Sequence, residues 1–256
     1  MKDPDLTPLF DLTGQVAIVT GASSGLGDRF ARVLHAAGAS VVAVARRTER
    51  LEALAATHDR ILAVTADLTD DSQVQSIVPQ ALERFGQVDV LVNNAGMGVP
   101  VPAVDEDLAA FRYTLEVNLV GLFNLARLVA RPMLDAGSGS IINITSMFGL
   151  VSSWPLPNAS YTSSKGAVVQ LTRELACQWA ARGVRVNALA PGLFPAESTE
   201  AMMENPKGLA YVERSCPMRR FGRPEELDGP LLFLASAAST YVTGQTLGVD
   251  GGWTAH

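Results

Sequence analysis

Seven short runs of β-branched and other apolar residues alternate with longer segments of helical period, and this alternation restricts the chain more than any other feature. The runs are "QVAIVT", "SVVAVA", "ILAVTA", "VDVLVN", "SIINIT", "VRVNALAP" and "QTLGVD". Their near-continuous apolar character suits strands covered on both faces. Helical segments begin near Gly25, Arg47, Asp70, Asp107, Ala159 and Pro224. Such alternation predicts an α/β fold with one doubly wound parallel sheet of about seven strands, flanked by helices on both faces. No linker, repeat or low-complexity tract interrupts residues 1–256, so a single domain is expected. The stretch from Gly192 to Pro217 differs, with three prolines, two adjacent methionines and no strand pattern. It is expected to leave the sheet as a lid at about 193–216.

Composition narrows the function classes. A chain of 256 residues, 48% apolar and 18% charged, is large enough for one substantial core. The net charge of −6 disfavours nucleic acid or an anionic membrane surface as a partner. The one dense basic cluster, "MRRFGR" at 218–223, reads as a solvated or inter-subunit patch. No apolar run reaches the roughly 18 residues of a membrane helix, and the acidic, proline-broken opening "MKDPDLTPLFDLTG" lacks the form of a targeting peptide. Cys177 and Cys216 do not make a disulfide scaffold, so a cytoplasmic location is expected. His35, His58 and His256 are scattered, and no metal site is expected.

The stretch "VTGASSGLG", residues 19–27, joins the first strand to the first helix. Glycines at 21, 25 and 27 let the backbone turn sharply and approach a phosphate without a Cβ in the way. A pyrophosphate there would meet free N–H groups and the helix dipole. Ser23 and Ser24 could add hydroxyl donors. Three later stretches also end strands: "ADLTD" with Asp67, suited to accept from an adenine amino group; "NNAG" from Asn93 to Gly96, small enough to admit a ribose; and "APG" from Ala190 to Gly192. In open α/β sheets ligands bind outside the carboxyl ends of the strands, where all four stretches fall. "YTSSK" then sets Tyr161 and Lys165 one helical turn apart on one face. A lysine here, among only three in a chain of seventeen arginines, suggests that a compact ammonium is wanted.

Taken in order, "TGASSGLG", "NNAG", the asparagine of "VNLVG", the serine of "ITSMFG", "YTSSK", "APG" and the closing "YVTGQTLGVDGG" resemble the short-chain dehydrogenase/reductase family over nearly the whole chain. The resemblance implies a Rossmann-type fold and a catalytic set of Asn118, Ser146, Tyr161 and Lys165. Tyr161 would exchange a proton with the substrate oxygen while hydride moves to or from a nicotinamide. Ser146 would hold that oxygen, Lys165 would also hold the nicotinamide ribose, and Asn118 would anchor a water leading the proton to solvent. Bringing a phenol from about 10 to about 7 takes roughly 4 kcal/mol of preference for phenolate, which a nearby ammonium and a positive nicotinamide ring could supply jointly. Ser152 and Ser153 are competing hydroxyls, but Ser146 directly follows the fifth strand. The resemblance also implies cofactor contacts from Gly21, Ser23, Ser24, Gly25, Leu26, Gly27, Arg46, Arg47, Asp67, Leu68, Asn94, Ala95, Gly96, Tyr161, Lys165, Pro191, Gly192 and Phe194. Five residues beyond the proline of "APG" the family often has threonine; here Ala196 stands there, with Ser198 or Thr199 as substitutes.

At the end of the second strand, Ala45 is followed by Arg46 and Arg47, where NAD enzymes carry an acid. A guanidinium grips a 2′-phosphate that a carboxylate would repel, so the cofactor expected is NADP(H). Ser24 occupies a position where many NADP enzymes of the family have a second basic residue. Phe194, Met202, Met203 and Tyr211 in the lid suit a hydrophobic ketone or alcohol. A 3-oxoacyl-(acyl-carrier-protein or CoA) reductase is the alternative, for which Arg182 matches one carrier-gripping position and "MLDAGSGS" lacks the other. A nucleotide-sensing regulatory protein on the same fold would be the non-enzyme alternative. Small and apolar residues on more than one face of the helix from Ala159, and a similarly apolar preceding helix, lead to the expectation of a homotetramer.

Overall fold

Valine, isoleucine and alanine fill the strand interiors, and the seven apolar runs form seven parallel strands. In the computed structural model, which describes residues 7–197 and 199–255, these are β1 Val16–Thr20, β2 Ser40–Ala45, β3 Ile61–Thr65, β4 Val90–Asn93, β5 Gly139–Ile144, β6 Val184–Pro191 and β7 Thr246–Val249. Residues 1–6 of the acidic opening, Ser198 and His256 lie outside the described residues. The strands pair in the order β3-β2-β1-β4-β5-β6-β7.

Nine α-helices are described: α1 Gly25–Ala36, α2 Thr48–Ala56, α3 Asp71–Phe85, α4 Leu108–Leu115, α5 Gly121–Ala136, α6 Ala159–Trp179, α7 Glu200–Met203, α8 Pro206–Ser215 and α9 Asp228–Ala235. Alternate residues of β1 enter two different cores, as the period of a strand requires. Ala17 and Val19 pack with Phe30 and Leu34 of α1, Leu51 of α2 and Leu231 of α9. Val16 and Ile18 pack with Ile77 of α3, Leu125 and Val129 of α5 and Leu175 of α6. With both faces covered, strands need not alternate with polar residues, which is why they read as continuous apolar runs. The helix starts follow local chemistry. Asp70 caps α3 by accepting from Ser72 N and Gln73 N, and Gly86 ends it in the left-handed region at φ 82°.

One helical stretch, Leu108–Ala136, is long and apolar enough by length and composition to cross a membrane, and half of its most apolar window is buried inside the fold. Polar residues such as Asn118 and Asn124 interrupt its apolar run while still turning inward, so it contains no long unbroken apolar stretch. A π-helical turn, Glu116–Val120, joins α4 to α5 and carries the buried Asn118.

The segment expected to leave the sheet does so after β6 and forms α7 and α8, the latter capped by Asn205, which accepts from Lys207 N at 2.9 Å. The basic cluster at 218–223 is matched by the acids that follow it. Arg220 grips both carboxylate oxygens of Glu226 at 2.8 and 2.7 Å and holds that carboxyl down at about 2. Arg223 lies 3.3 Å from Glu225.

From β1 the strand order runs one way to β2 and β3 and the other way to β4. The crevice between β1 and β4, at their carboxyl ends, is therefore the topological switch point at which such sheets hold ligands.

Candidate active site

The end of β1 is stitched to the end of β4. Thr20 Oγ1 accepts from Asn94 N and Ala95 N, both at 3.0 Å, and Asn94 Nδ2 donates to Thr20 O at 2.9 Å. The glycine-rich turn rests on this join. Gly21 has φ +69°, and a Cβ on Gly27 would lie 2.2 Å from Gly21 O, so any side chain at 27 would force the turn apart. Around Gly25, by contrast, an added Cβ would find nothing closer than Ala196 Cβ at 3.9 Å. Ser24 stands at the N-cap of α1 with extended backbone and makes no side-chain cap bond. A tight turn with free space before a helix N-terminus fits a pyrophosphate.

Arginines cluster at the carboxyl end of β2. Arg47 donates to Ser23 Oγ at 3.0 Å and to Ser24 Oγ. It thereby brings a guanidinium to the position where the sequence shows no second basic residue. Arg46 turns the other way, with Nη1 at 3.4 Å from Tyr113 Oη and 3.8 Å from Asp67 Oδ2. Asp67 lies two residues past β3, and its Oδ1 accepts from Thr69 N and Thr69 Oγ1 at 3.0 and 2.9 Å. Its neighbour Leu68 is buried.

The other end of the crevice is dry. Ser146 follows β5 at the N-cap of a 3₁₀ turn and accepts from Phe148 N at 3.1 Å. The Ser146 hydroxyl beside the Tyr161 phenol draws it down, while desolvation by the surrounding protein wins and pushes the phenol above its ordinary value. Ser152 and Ser153 are bound within their own loop, the first accepting from Trp154 N and the second donating to Leu156 O. Lys165 is 3% exposed, and burial holds its ammonium down at about 8. Its Nζ donates to Ile144 O at 2.8 Å and lies 5.8 Å from the Tyr161 ring centroid. Among the described residues no carboxylate pairs with it. A Cβ on Gly96 would sit 3.1 Å from Lys165 Nζ, and one on Gly98 would strike the Tyr161 ring at 2.7 Å. Small residues after β4 are thus what admit both side chains.

Asn118 is fully buried. Its Oδ1 accepts from Met97 N at 2.8 Å, and its Nδ2 donates to Met97 O at 2.8 Å and Ser164 Oγ at 2.9 Å. Ser164 in turn donates to Tyr161 O at 2.7 Å. The side chain therefore locks the loop after β4 to the helix that carries Tyr161. The π-turn is what turns it inward, and such turns recur at functional sites.

Pro191 ends β6, and Gly192 N donates to Val249 O at 2.9 Å. Phe194 is a core residue, 5% exposed and packed against Gly222. Thr199 turns its hydroxyl to Phe194 O at 2.7 Å and accepts from Ala196 N; Ser198, the other substitute for the missing threonine, is not among the described residues. Phe148, Tyr211 of α8 and Trp253 form an aromatic group, with Trp253 6.1 Å from Phe148 and 5.6 Å from Tyr211. A cavity of about 290 Å³ beneath the lid is lined by Phe194, Val212, Met218 and Trp253.

Several supports were not singled out from the sequence: Thr20, Thr145, Ser164, Tyr113, Arg50 and Glu197. Thr145 donates to Lys165 O at 2.8 Å, as Thr20 holds the β4 loop. A hydroxyl closing the apolar runs "QVAIVT" and "SIINIT" is the available signal for these two. The pairing of Glu197 with arginines had no local signal, because 150 residues separate it from Arg47.

A family model described as enoyl-(acyl carrier protein) reductase matches residues 21–254. Galactitol 2-dehydrogenase (L-tagatose-forming) of Cereibacter sphaeroides is 41% identical over 252 residues, 98% of this chain and 99% of that protein. Among solved structures, a short-chain type dehydrogenase/reductase from Mycobacterium marinum superposes with a TM-score of 0.94 at 36% identity, covering 98% of this chain and 100% of that one. A gluconate 5-dehydrogenase from Burkholderia cenocepacia, solved in complex with NADP and tartrate, gives 0.93 at 36% identity over 98% and 100% of the two chains.

Proposed function

The chain belongs to the short-chain dehydrogenase/reductase family, and on that premise we propose that it is an NADP(H)-dependent oxidoreductase interconverting a ketone and a secondary alcohol, with Tyr161 as general acid/base. The observation that carries the reading is the pairing of a half-buried phenol, with the Ser146 hydroxyl beside it, with a buried ammonium that has no carboxylate partner among the described residues. A positive charge held this way favours negative charge beside it, and the transfer of a proton from Tyr161 to a substrate oxygen creates that charge.

The bound nicotinamide would supply or accept the hydride, and in its oxidised form would add positive charge beside Tyr161. The rest belongs to the chain. In the reducing direction, Ser146 donates to the carbonyl oxygen and Tyr161 delivers the proton as the oxygen becomes an alkoxide. In the oxidising direction, Tyr161 must first lose its proton, and burial alone opposes this. Lys165 offsets the opposition only while it remains charged. Asn118 and Ser164 keep Tyr161 in register, and the turn from Gly21 to Gly27 with Asn94, Ala95, Gly96, Pro191 and Gly192 lines the path for the dinucleotide. Arg46 and Arg47 supply the positive end that a 2′-phosphate requires.

The lid at 193–216, with Met202, Met203 and Tyr211, faces the substrate in this reading. Its aromatic neighbours Phe148 and Trp253 offer apolar area to a ketone carbon skeleton. The carrier-protein alternative finds less support, since Arg182 is engaged with Leu134 O at 3.2 Å and Asp135 at 3.8 Å. Assembly as a homotetramer is supported by exposed apolar residues on α4, the π-helical turn and α5, namely Tyr113, Val120 and Phe123. Light scattering at micromolar concentration tests it, and a stable monomer of 27.1 kDa overturns it.

The activity is tested with a panel of apolar ketones, polyols, sugar acids and 3-oxoacyl thioesters, each run with NADPH or NADP⁺ and with NADH or NAD⁺. Turnover of a carbonyl or alcohol, faster with the phosphorylated cofactor and lost in Tyr161→Phe, is the expected result. No turnover across the panel, with dinucleotide binding intact, favours the sensing alternative.

A further inference from the structure

The lid carries an acid that lies far from the reacting end of the crevice. Glu197 stands between β6 and α7, yet its carboxylate reaches Arg47 at 3.1 and 3.3 Å and Arg50 at 2.8 Å. The same Arg47 guanidinium donates to Ser23 and Ser24 of the glycine-rich turn. One cluster therefore joins three separate parts of the chain: the turn after β1, the end of β2 with the start of α2, and the lid. The charge pattern is that of an occupied anion site. Two guanidiniums converge on the chain's own carboxylate, and Ser23 and Ser24 hold the other edge of one of them, Arg47.

We propose that Glu197 is an internal anion that holds Arg47 and Arg50 until a cofactor phosphate takes its place, so that filling the 2′-phosphate site also releases the lid's tether. This deepens the NADP(H) reading and rests on it. A carboxylate and a phosphate cannot share Arg47 without repulsion, and a dianionic phosphate makes more charge-assisted hydrogen bonds than a carboxylate does. A nucleotide lacking the 2′-phosphate leaves the Glu197 contacts in place, with the lid still tied to β2. Glu197 thus tunes the strictness of the preference between the two dinucleotides, since every gain from the 2′-phosphate is reduced by the loss of its own pairs.

The side chains involved are about half exposed, 43% for Arg47, 53% for Arg50 and 59% for Glu197, and exposed pairs are individually weak. The expected change on removing the charge is accordingly modest. Calorimetric titration with 2′,5′-ADP and with 5′-ADP, on the wild type and Glu197→Gln, reads it without any turnover. The wild type is expected to bind 2′,5′-ADP more tightly than 5′-ADP. Glu197→Gln should bind 2′,5′-ADP about three- to tenfold more tightly still, with 5′-ADP affinity unchanged within about twofold. If the wild type prefers 2′,5′-ADP and the variant binds it no better, the tether is overturned while the NADP(H) reading stands. If neither protein distinguishes the two nucleotides, the NADP(H) reading fails and the tether falls with it.

Discussion

The two ends of the crevice hold positive charge in opposite ways. At the reacting end Lys165 is buried, donates to a backbone carbonyl and has no acid within reach among the described residues, so burial moves its protonation into the neutral-to-basic range. At the arginine end Arg46, Arg47 and Arg50 are exposed and paired with Asp67 or Glu197. Arginine stays charged in either setting, whereas lysine shifts readily when buried. A guanidinium at the solvent edge is a fixed grip, while a buried ammonium is a charge that responds to what is placed beside it. Catalytic groups need the second property and phosphate recognition needs the first.

The largest effect expected from this contrast is at Tyr161. Tyr161→Phe should lower kcat by about 10²- to 10⁴-fold, the usual worth of a positioned proton donor, while NADPH affinity measured by titration stays within about twofold. A loss of affinity matching the loss of turnover would mean that the two ends are not separable.

The next largest is a stability effect at Lys165. The buried ammonium is held at about 8 against an ordinary 10.5, so between those values the unfolded chain binds more protons than the folded one. Stability then rises with pH across that window, and below about 8 the protein carries the full penalty, about 3 kcal/mol. Lys165→Met should remove this pH dependence and melt higher than the wild type at pH 7 in the absence of nucleotide. Thermal melts of both proteins from pH 7 to 10 test it. Parallel curves would show that the ammonium is better solvated than its surroundings indicate.

At the arginine end the effects are smaller and selective. Arg47→Ala should weaken NADPH by roughly tenfold through loss of a charge-assisted contact, and NADH by less than about twofold. Arg46→Ala should act in the same sense. Equal weakening of both dinucleotides would place these arginines on the pyrophosphate instead.

The smallest difference is one of ionic strength. Raising salt from 50 to 500 mM shortens the screening length by about threefold, so NADPH affinity should fall several-fold. The saturated kcat should change less than about twofold, because Lys165 is shielded from solvent ions. A kcat that follows salt as steeply as affinity does would remove the distinction between the two ends.

Much of this was legible before the fold was known. The parallel sheet followed from seven apolar runs whose composition leaves no solvent-facing side, and the strand-end stretches followed from the rule that ligands meet such sheets at their carboxyl ends. Tyr161 and Lys165 were joined by helical spacing, a local property that four residues decide. Other relations depend on chain segments far apart, and no spacing reports them. Only packing brings Ser146 and Tyr161 together while Ser152 and Ser153 are used up in their own loop. The inward turn of Asn118 needs a π-helical irregularity that periodicity does not signal. Phe194, read as a cofactor contact, has its ring in the core against Gly222, because the chain turns inward after β6. Composition and short-range period suffice for the sheet, the glycine turn and the types of group available for proton transfer. Tertiary structure alone decided which charges are dry and which are wet, and so joined a lid glutamate to arginines 147 and 150 residues away. Burial is a property of the whole packed chain, and it is burial that separates an ammonium poised near 8 from a guanidinium held by salt pairs.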